Sequence, residues 1–383
     1  MDGPWLAIGL MSGTSADGID AALIRTDGEA PPRLLAFRSH PYPADVRQRV
    51  LVLQQPGSEE IDRLGVLDRD LGDLFARAAL EVCGVAGVSP DQVTVIGSHG
   101  QTVRHRPPHF SLQIGNPFRI SVTTGITTVA DFRPADIAWG GEGAPLAPLF
   151  HQCLFSRPGR RVAVVNLGGI ANVTALYEHP DQPLLSGDTG PANTLLDLLA
   201  ARVSDGREVC DRDGRYAASG KVDPRALAWL MDHPYLRRSF PKSTGRELFG
   251  PTFLDRFLEQ FPEIAVPDQF ATLTRFTAAS VAEAARSMLP PSPHDMVLCG
   301  GGARNPELVR HLADLLPETT LQESRALGVD PDALEAQAFA WFAVRTLRGL
   351  PSSVPGATGA ARGAVLGAIH PGSRGTATLS VSL

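Results

Sequence analysis

The chain has 383 residues, 43% of them hydrophobic and 20% charged, with a net charge of −6 and a pI near 5.9. This is ordinary globular composition with material for a large core, and the length gives a prior of about two to three domains. It excludes an overall basic footprint for nucleic acid, and no segment approaches the ~18 apolar residues of a membrane helix.

Cys83, Cys153, Cys210 and Cys299 are scattered without a C-x-x-C pair. That disfavours a cysteine-zinc site and a disulfide framework. The N-terminus has no basic and then apolar leader. The expected setting is the cytoplasm, with reduced thiols and with neither nucleic acid nor membrane as partner.

In chain order, Leu6–Leu10 is a short apolar strand. A Gly/Ser/Thr turn leads from it into a second strand, Ile19–Ile24, and a third follows at Arg33–His40. The spacing of Ile61, Leu64, Leu67, Leu71, Leu74 and Phe75 predicts a helix from Ile61 to Val82, stopped at Gly84. Thr94–Ser98 and Ile126–Ala130 read as strands. A second strand–turn–strand unit opens near Val162, about 155 residues after the first, and implies two similar halves. Helices are predicted from Pro191 (near N1) to Ala200, and over Pro224–Met231, Pro251–Gln260, Leu273–Met288, Glu307–Leu315 and Ala333–Leu347. Met296–Cys299 is a buried strand that ends in three glycines, and Val381–Leu383 reads as a loose tail.

The chemistry-bearing residues sit in the turns. In Met11–Gly18, glycines let backbone N–H groups approach an anion, and Ser12, Thr14 and Ser15 add hydroxyls. Asp17 and Asp20 have the chemistry to hold Mg²⁺, which takes one or two carboxylates plus phosphate oxygens. The same turn also suits an ordinary hairpin tip. No G-x-x-x-x-G-K-[ST] pattern occurs, so a P-loop is disfavoured. Asn166–Asn172 forms the second such turn. Gly300, Gly301 and Gly302, ahead of Asn305 and a helix, permit close approach of a planar ligand. Asp188 lies in a Gly-flanked turn before a helix, a placement that suits a general base or a helix cap. Arg133 can fork onto a carboxylate, and His99 and Gln101 can bond hydroxyls. His99, His105 and His109 lack the spacing of a helical metal dyad.

The order of the blocks MSGTSADGID, SHGQTVRHRP, ADFRPADIAWGGEGAPLAP, NLGGIANVT, GDTGPANTLLD, PKSTGRELF, LCGGGARNP and EAQAFAW resembles the anhydro-N-acetylmuramic acid kinases, from residue 6 to about 372. Glu142 stands where the pattern has Gln. The resemblance implies an α/β fold of two RNase-H-like domains, as in the actin and hexokinase superfamily, flanking an ATP cleft. The halves would be 1–132 plus about 353–383, and 133–352. It implies ATP, Mg²⁺, an amino-sugar substrate and a homodimer.

By motif, Gly13, Thr14, Ser15, Ala16, Asp17, Gly18, Ile19 and Asp20 would form the first phosphate loop, with Asp17 and Asp20 near the metal. Asn166, Gly168 and Gly169 would form the second. Gly300, Gly301, Gly302 and Asn305 would approach the nucleoside. Asp188 would be the catalytic base, and His99, Gln101, Arg133 and Glu335 would lie near the sugar. Two alternatives are another sugar kinase of the superfamily and an actin- or Hsp70-like ATPase without a sugar substrate.

Overall fold

The structure is a computed structural model that describes residues 3–13, 15–179, 182 and 184–373. It divides into two compact units, 1–154 with 332–383, and 155–331. The first unit carries β1 (Trp5–Ser12), β2 (Gly18–Thr26), β3 (Arg33–Pro41), β4 (Val95–Arg106), β5 (Phe110–Ile114) and β6 (Thr128–Ala130). The second carries β7 (Val162–Leu167), β8 (Ile170–Leu176), β9 (Leu185–Pro191), β10 (Asp295–Cys299) and β11 (Thr320–Glu323). The chain then returns to the first unit with β12 (Ala368–His370).

Each unit is built on the same plan. In the first, β3, β2 and β1 form an antiparallel meander, and β4 and β6 follow parallel to β1. In the second, β9, β8 and β7 form the meander, and β10 and β11 follow parallel to β7. The duplicated order 3-2-1-4-5 is the topology of the RNase-H-like, actin-like α/β fold, and it explains the repeated strand–turn–strand unit in the sequence.

The dividing points differ from the expected 132 and 353. The second one falls at 332 because the helix Leu334–Leu347 packs on β1, β2 and β4 of the first unit. Two glycines let its backbone lie directly on the sheet. A Cβ at Gly9 would sit 1.7 Å from the Ala336 carbonyl oxygen, and one at Gly97 would sit 2.0 Å from that of Phe339. Arg133 and Glu335 both fall in the first unit.

Other differences have local causes. The helix Glu60–Ala86 runs through Gly84 and ends at Gly87, whose φ of 64° supplies the left-handed cap. A glycine inside a helix costs only about 1 kcal/mol, too little to stop one with a continuous buried face. Pro191 is not at N1 but ends β9, and its helix starts at Asn193. The helix ending at Met288 starts at Val266, seven residues before Leu273, with Pro267 in its first turn. The helices Pro224–Met231 and Pro251–Gln260 fall on their predicted bounds, with proline in the first turn of each. The tail Val381–Leu383 lies outside the described residues.

Candidate active site

In the first unit, β1 runs into the turn at residues 13–17 and returns as β2. Ala16 adopts φ 55° and donates its N–H to the Gly13 carbonyl at 3.1 Å, closing the turn. Thr14 lies outside the described residues. Ser15 and Asp17 are exposed, and Asp17 sits 3.4 Å from Arg47. Gly13 is open above its Cα: an added Cβ would meet only Ser15 Oγ, at 3.7 Å.

Three residues of the Met11–Asp20 segment are built into the scaffold. A Cβ at Gly18 would lie 2.2 Å from the His40 carbonyl, so this glycine permits the close pairing of β2 with β3. Ile19 is a core side chain. Ser12 is buried, its Oγ 2.7 Å from both the Gly18 carbonyl and Gln101 Oε1, and it accepts from Tyr42 Oη at 3.0 Å. The single Ser12 proton serves one of these acceptors at a time.

Gln101 is fully buried on β4. Its Nε2 donates to the Gly13 carbonyl at 3.0 Å and to that of Thr102 at 3.2 Å. Both ends of its amide are therefore engaged in holding the turn. Tyr42 and Gln101 are the anchors of the loop, and sequence reasoning missed Tyr42 because it lies on a separate segment. The Asp20 carboxyl is pushed up by burial, opposed by a hydrogen bond from Ser39, and pushed further by Asp332 and Asp17.

His99, also on β4, is held at both ring nitrogens. Nδ1 lies 2.9 Å from the Gly100 carbonyl, and Nε2 lies 3.2 Å from Arg133 Nε and 2.9 Å from Arg133 Nη2. A guanidinium only donates, so Nε2 is the acceptor and the ring is the neutral Nδ1–H tautomer. Burial first, and then the Arg133 charge, bring His99 down to about 3. This ring holds Arg133 and has no nitrogen left for a sugar hydroxyl.

Arg133 also donates Nη1 to the Gly143 carbonyl at 2.7 Å, in the GGEGAP segment. Its crowded surroundings lower it to about 10, against the pull of Glu335 and Asp136. Glu335 opens the helix Leu334–Leu347 with an accessible side chain in dense protein surroundings. Its carboxyl is pushed up by desolvation and by Asp20, and held back by Arg133. Arg133, Glu335 and Asp20 thus form one coupled electrostatic group in this unit.

In the second unit, Gly168 and Gly169 link β7 to β8, and the N-terminus of the helix Asn193–Val203 is docked on them. The Gly169 carbonyl accepts from Ala192 N at 2.9 Å, Thr194 N at 3.1 Å and Thr194 Oγ1 at 2.9 Å, and the Gly168 carbonyl accepts from Asn193 N at 3.0 Å. Asn166 sits at the end of β7 beside β10. Gly300 has φ 77°, and a Cβ there would lie 2.4 Å from Asn166 Oδ1; one at Gly302 would lie 2.8 Å from Leu167 Cβ. These two glycines fit the corner against β7.

Gly301 differs: the nearest atom to an added Cβ is Asn193 Nδ2, at 4.0 Å. It faces a hollow of about 330 Å³ whose walls include Asn193, Asp197, Asp211, Arg304 and Asn305. Asn305 Oδ1 caps the next helix, accepting from Glu307 N at 3.1 Å and Leu308 N at 3.3 Å. Burial raises Asp197 to about 6, with Arg246 opposing.

Asp188 lies on the edge strand β9, paired with Asn172, rather than in a turn. The signal for a turn was its two flanking glycines. Gly187 is small because a Cβ there would meet the Phe240 ring at 2.7 Å and the Lys242 carbonyl at 2.9 Å. The Asp188 N–H donates to the Lys242 carbonyl at 2.8 Å, its carbonyl accepts from Tyr235 Oη at 2.8 Å, and its Oδ2 accepts from Thr244 N at 2.9 Å. The PKSTGRE segment therefore fixes the carboxylate. Thr244 Oγ1 is buried with no hydrogen-bond partner in the structure, which marks a residue that sequence reasoning did not single out. Among the described residues no cluster of three or more His, Cys, Asp or Glu has metal-holding geometry, and no helix is long and apolar enough to cross a membrane.

The profile of the anhydro-N-acetylmuramic acid kinase family matches residues 5–372. A relative of that name from Shewanella amazonensis is 46% identical over 369 residues, 96% of this chain and 98% of its own. Another of the same name, from Shewanella baltica, is 47% identical over 364 residues, 94% and 97% of the two chains. Among solved structures, component A of (R)-2-hydroxyglutaryl-CoA dehydratase from Acidaminococcus fermentans matches at TM-score 0.47 and 13% identity, covering 89% of this chain and 98% of its own. A ROK family glucokinase from Streptomyces griseus, in complex with glucose and AMPPNP, matches at TM-score 0.40 and 15% identity, covering 88% and 99%. Likenesses of that size bear on neither substrate nor chemistry. The match of the family profile along almost the whole chain does: this chain belongs to the anhydro-N-acetylmuramic acid kinase family.

Proposed function

We infer that this chain is an ATP-dependent kinase that hydrolytically opens 1,6-anhydro-N-acetylmuramic acid and phosphorylates O6, giving N-acetylmuramic acid 6-phosphate and ADP. The observation that carries the reading is family membership over residues 5–372. The role is the recycling of cell-wall sugars, in the cytoplasm and as a homodimer.

Asp188 acts as the base. Its carboxylate takes a proton from a water that attacks the anomeric carbon, the bond from that carbon to O6 breaks, and O6 attacks the γ-phosphorus as ADP leaves. A usual glycosidase needs an acid to protonate the leaving oxygen. Here the phosphorus captures that oxygen instead. The Thr244 N–H and the Tyr235 hydroxyl support the role by fixing the carboxylate and its strand.

The turn at 13–17 and the Gly168–Gly169 hairpin receive phosphates, and the hollow beside Gly301 takes the nucleoside. Arg133, held by His99, and Glu335 meet the sugar. Mg²⁺ enters with the nucleotide as part of the substrate. Asp20 fits it, because a cation relieves the burial and like charges that push its carboxyl up. Asp17, paired with Arg47, is the outer candidate.

The direct test is ADP release with and without 1,6-anhydro-N-acetylmuramic acid, beside a panel of other sugars. The reading predicts that this sugar stimulates ADP release above every other. Equal ADP release without sugar would instead indicate an ATPase.

A further inference from the structure

A second hollow, of about 510 Å³, opens in the second unit next to the strand that carries Asp188. Its size falls in the ~300–1,000 Å³ range of small-molecule sites. The adjacent residue Thr189 lines it. Successive side chains of a strand point to opposite faces, so the hollow lies on the side of β9 away from the Asp188 carboxylate. One wall is the segment Leu236–Lys242, and the other is the C-terminal half of the helix Val266–Met288, through Ser280, Glu283 and Ser287.

The charges of this wall are unbalanced toward cations. Arg237 is paired with Asp232. Arg238 and Lys242 have no carboxylate within ion-pair distance among the described residues, and Glu283 is the one acidic side chain in the lining. Lys242 is only 5% exposed. Its Nζ donates to the Leu236 carbonyl at 2.8 Å and to that of Tyr235 at 3.2 Å, and it stands 4.8 and 4.7 Å from the Tyr235 and Phe240 ring centres. Burial, and then Arg238, lower its ammonium, against the pull of Glu283. A buried ammonium satisfied by neutral carbonyls and ring faces has an anion as its missing partner. Ser239 adds a hydroxyl, and Ser280 and Ser287, which donate to the Thr277 and Ala284 carbonyls, can still accept from a polyol.

We propose that this hollow is a second binding site, for a small sugar phosphate, and that its occupancy changes the activity of the Asp188 carboxylate. The link is covalent and short. Lys242 lines the hollow with its side chain, while its own carbonyl accepts the Asp188 N–H, and two residues on the Thr244 N–H holds Asp188 Oδ2. An anion that draws Nζ away from the Tyr235 and Leu236 carbonyls shifts the segment that positions the base. The choice of sugar phosphate as ligand class rests on the kinase reading, since the reaction product has that chemistry; the hollow and its charges do not.

The test is calorimetric titration of the protein with N-acetylmuramic acid 6-phosphate, beside inorganic phosphate and N-acetylmuramic acid. The variants are Arg238→Gln, which removes the exposed cation, and Ser287→Trp, which fills the hollow from the opposite wall. The expected result is two classes of site in the unaltered protein, one of them weakened about tenfold or more in Arg238→Gln and absent in Ser287→Trp. In turnover assays the sugar phosphate then lowers kcat, and this effect disappears in Ser287→Trp. A single class of site untouched by either variant overturns the proposal, as does inorganic phosphate binding as tightly as the sugar phosphate. Failure of the kinase reading is separable: it shows as no sugar phosphorylation, while the class of site sensitive to Arg238 remains.

Discussion

Arg133 donates to Nε2 of His99 from 2.9 Å, which fixes the imidazole as its neutral tautomer with the proton on Nδ1. Protonating Nε2 would set two cations against each other. The folded value of His99 lies near 3, against an ordinary 6.5, so the unfolded chain takes up the proton first as pH falls. The stability this neutral ring contributes is present above pH 6.5 and is lost as pH drops toward 3. Between pH 7 and pH 5 the loss is about 2 kcal/mol. Thermal melts across that range should show a smaller acid loss in His99→Gln, which has no titratable ring. An unchanged pH dependence in that variant would contradict the neutral state of the folded ring.

Arg133 meets its partners as a planar fork, at His99 and at the Gly143 carbonyl. Arg133→Lys keeps the charge and loses the fork. Sugar KM should rise by about tenfold or more, with KM for ATP little changed. An equal rise in both would place Arg133 elsewhere in the reaction.

The carboxylate of Asp188 is held by the Thr244 N–H, and its strand by the Tyr235 hydroxyl. Asp188→Asn should lower kcat by roughly 10²–10⁴-fold while nucleotide binding, followed by titration, stays near that of the unaltered protein. Tyr235→Phe keeps the ring that packs under Lys242 and removes the hydroxyl that donates to the Asp188 carbonyl. Its kcat should fall about tenfold or less, a positioning effect of roughly 1 kcal/mol. Near-normal turnover in Asp188→Asn would remove it as the base.

Glycines divide into scaffold and site by what a Cβ would meet. Gly9→Ala forces a methyl against the Ala336 carbonyl and should cost about 3 kcal/mol in denaturant unfolding. Gly301→Ala meets nothing nearer than 4.0 Å and should leave stability unchanged while raising KM for ATP. If Gly301→Ala bound ATP normally, the hollow beside it would not be the nucleoside site.

Much of this was legible in the sequence, for physical reasons. Apolar strands flanking small-residue turns gave the first meander and the first two strands of the second, and the helices Pro224–Met231 and Pro251–Gln260 were bounded to the residue. Long-range fit was not legible. Gly9 and Gly97 are ordinary strand residues until the helix Leu334–Leu347 lies on them, and that contact moves the second domain division to 332. Gln101 and His99 read as sugar ligands because their type allows it; only their tertiary partners show that they hold Gly13 and Arg133. Asp188 read as a turn residue because two glycines flank it, when Gly187 is small for the sake of Phe240 and Lys242.

The coupling of hydrolysis to phosphoryl transfer is tested most directly by mass spectrometry of product made from 1,6-anhydro-N-acetylmuramic acid and ATP in ¹⁸O-water. The reaction is quenched early, and unlabelled product held in the same water serves as control for exchange. The account predicts one ¹⁸O at the anomeric position and an unlabelled phosphate on O6. A sugar phosphate that still holds its anhydro bridge, an opened sugar without phosphate, or ¹⁸O in the phosphate would contradict it.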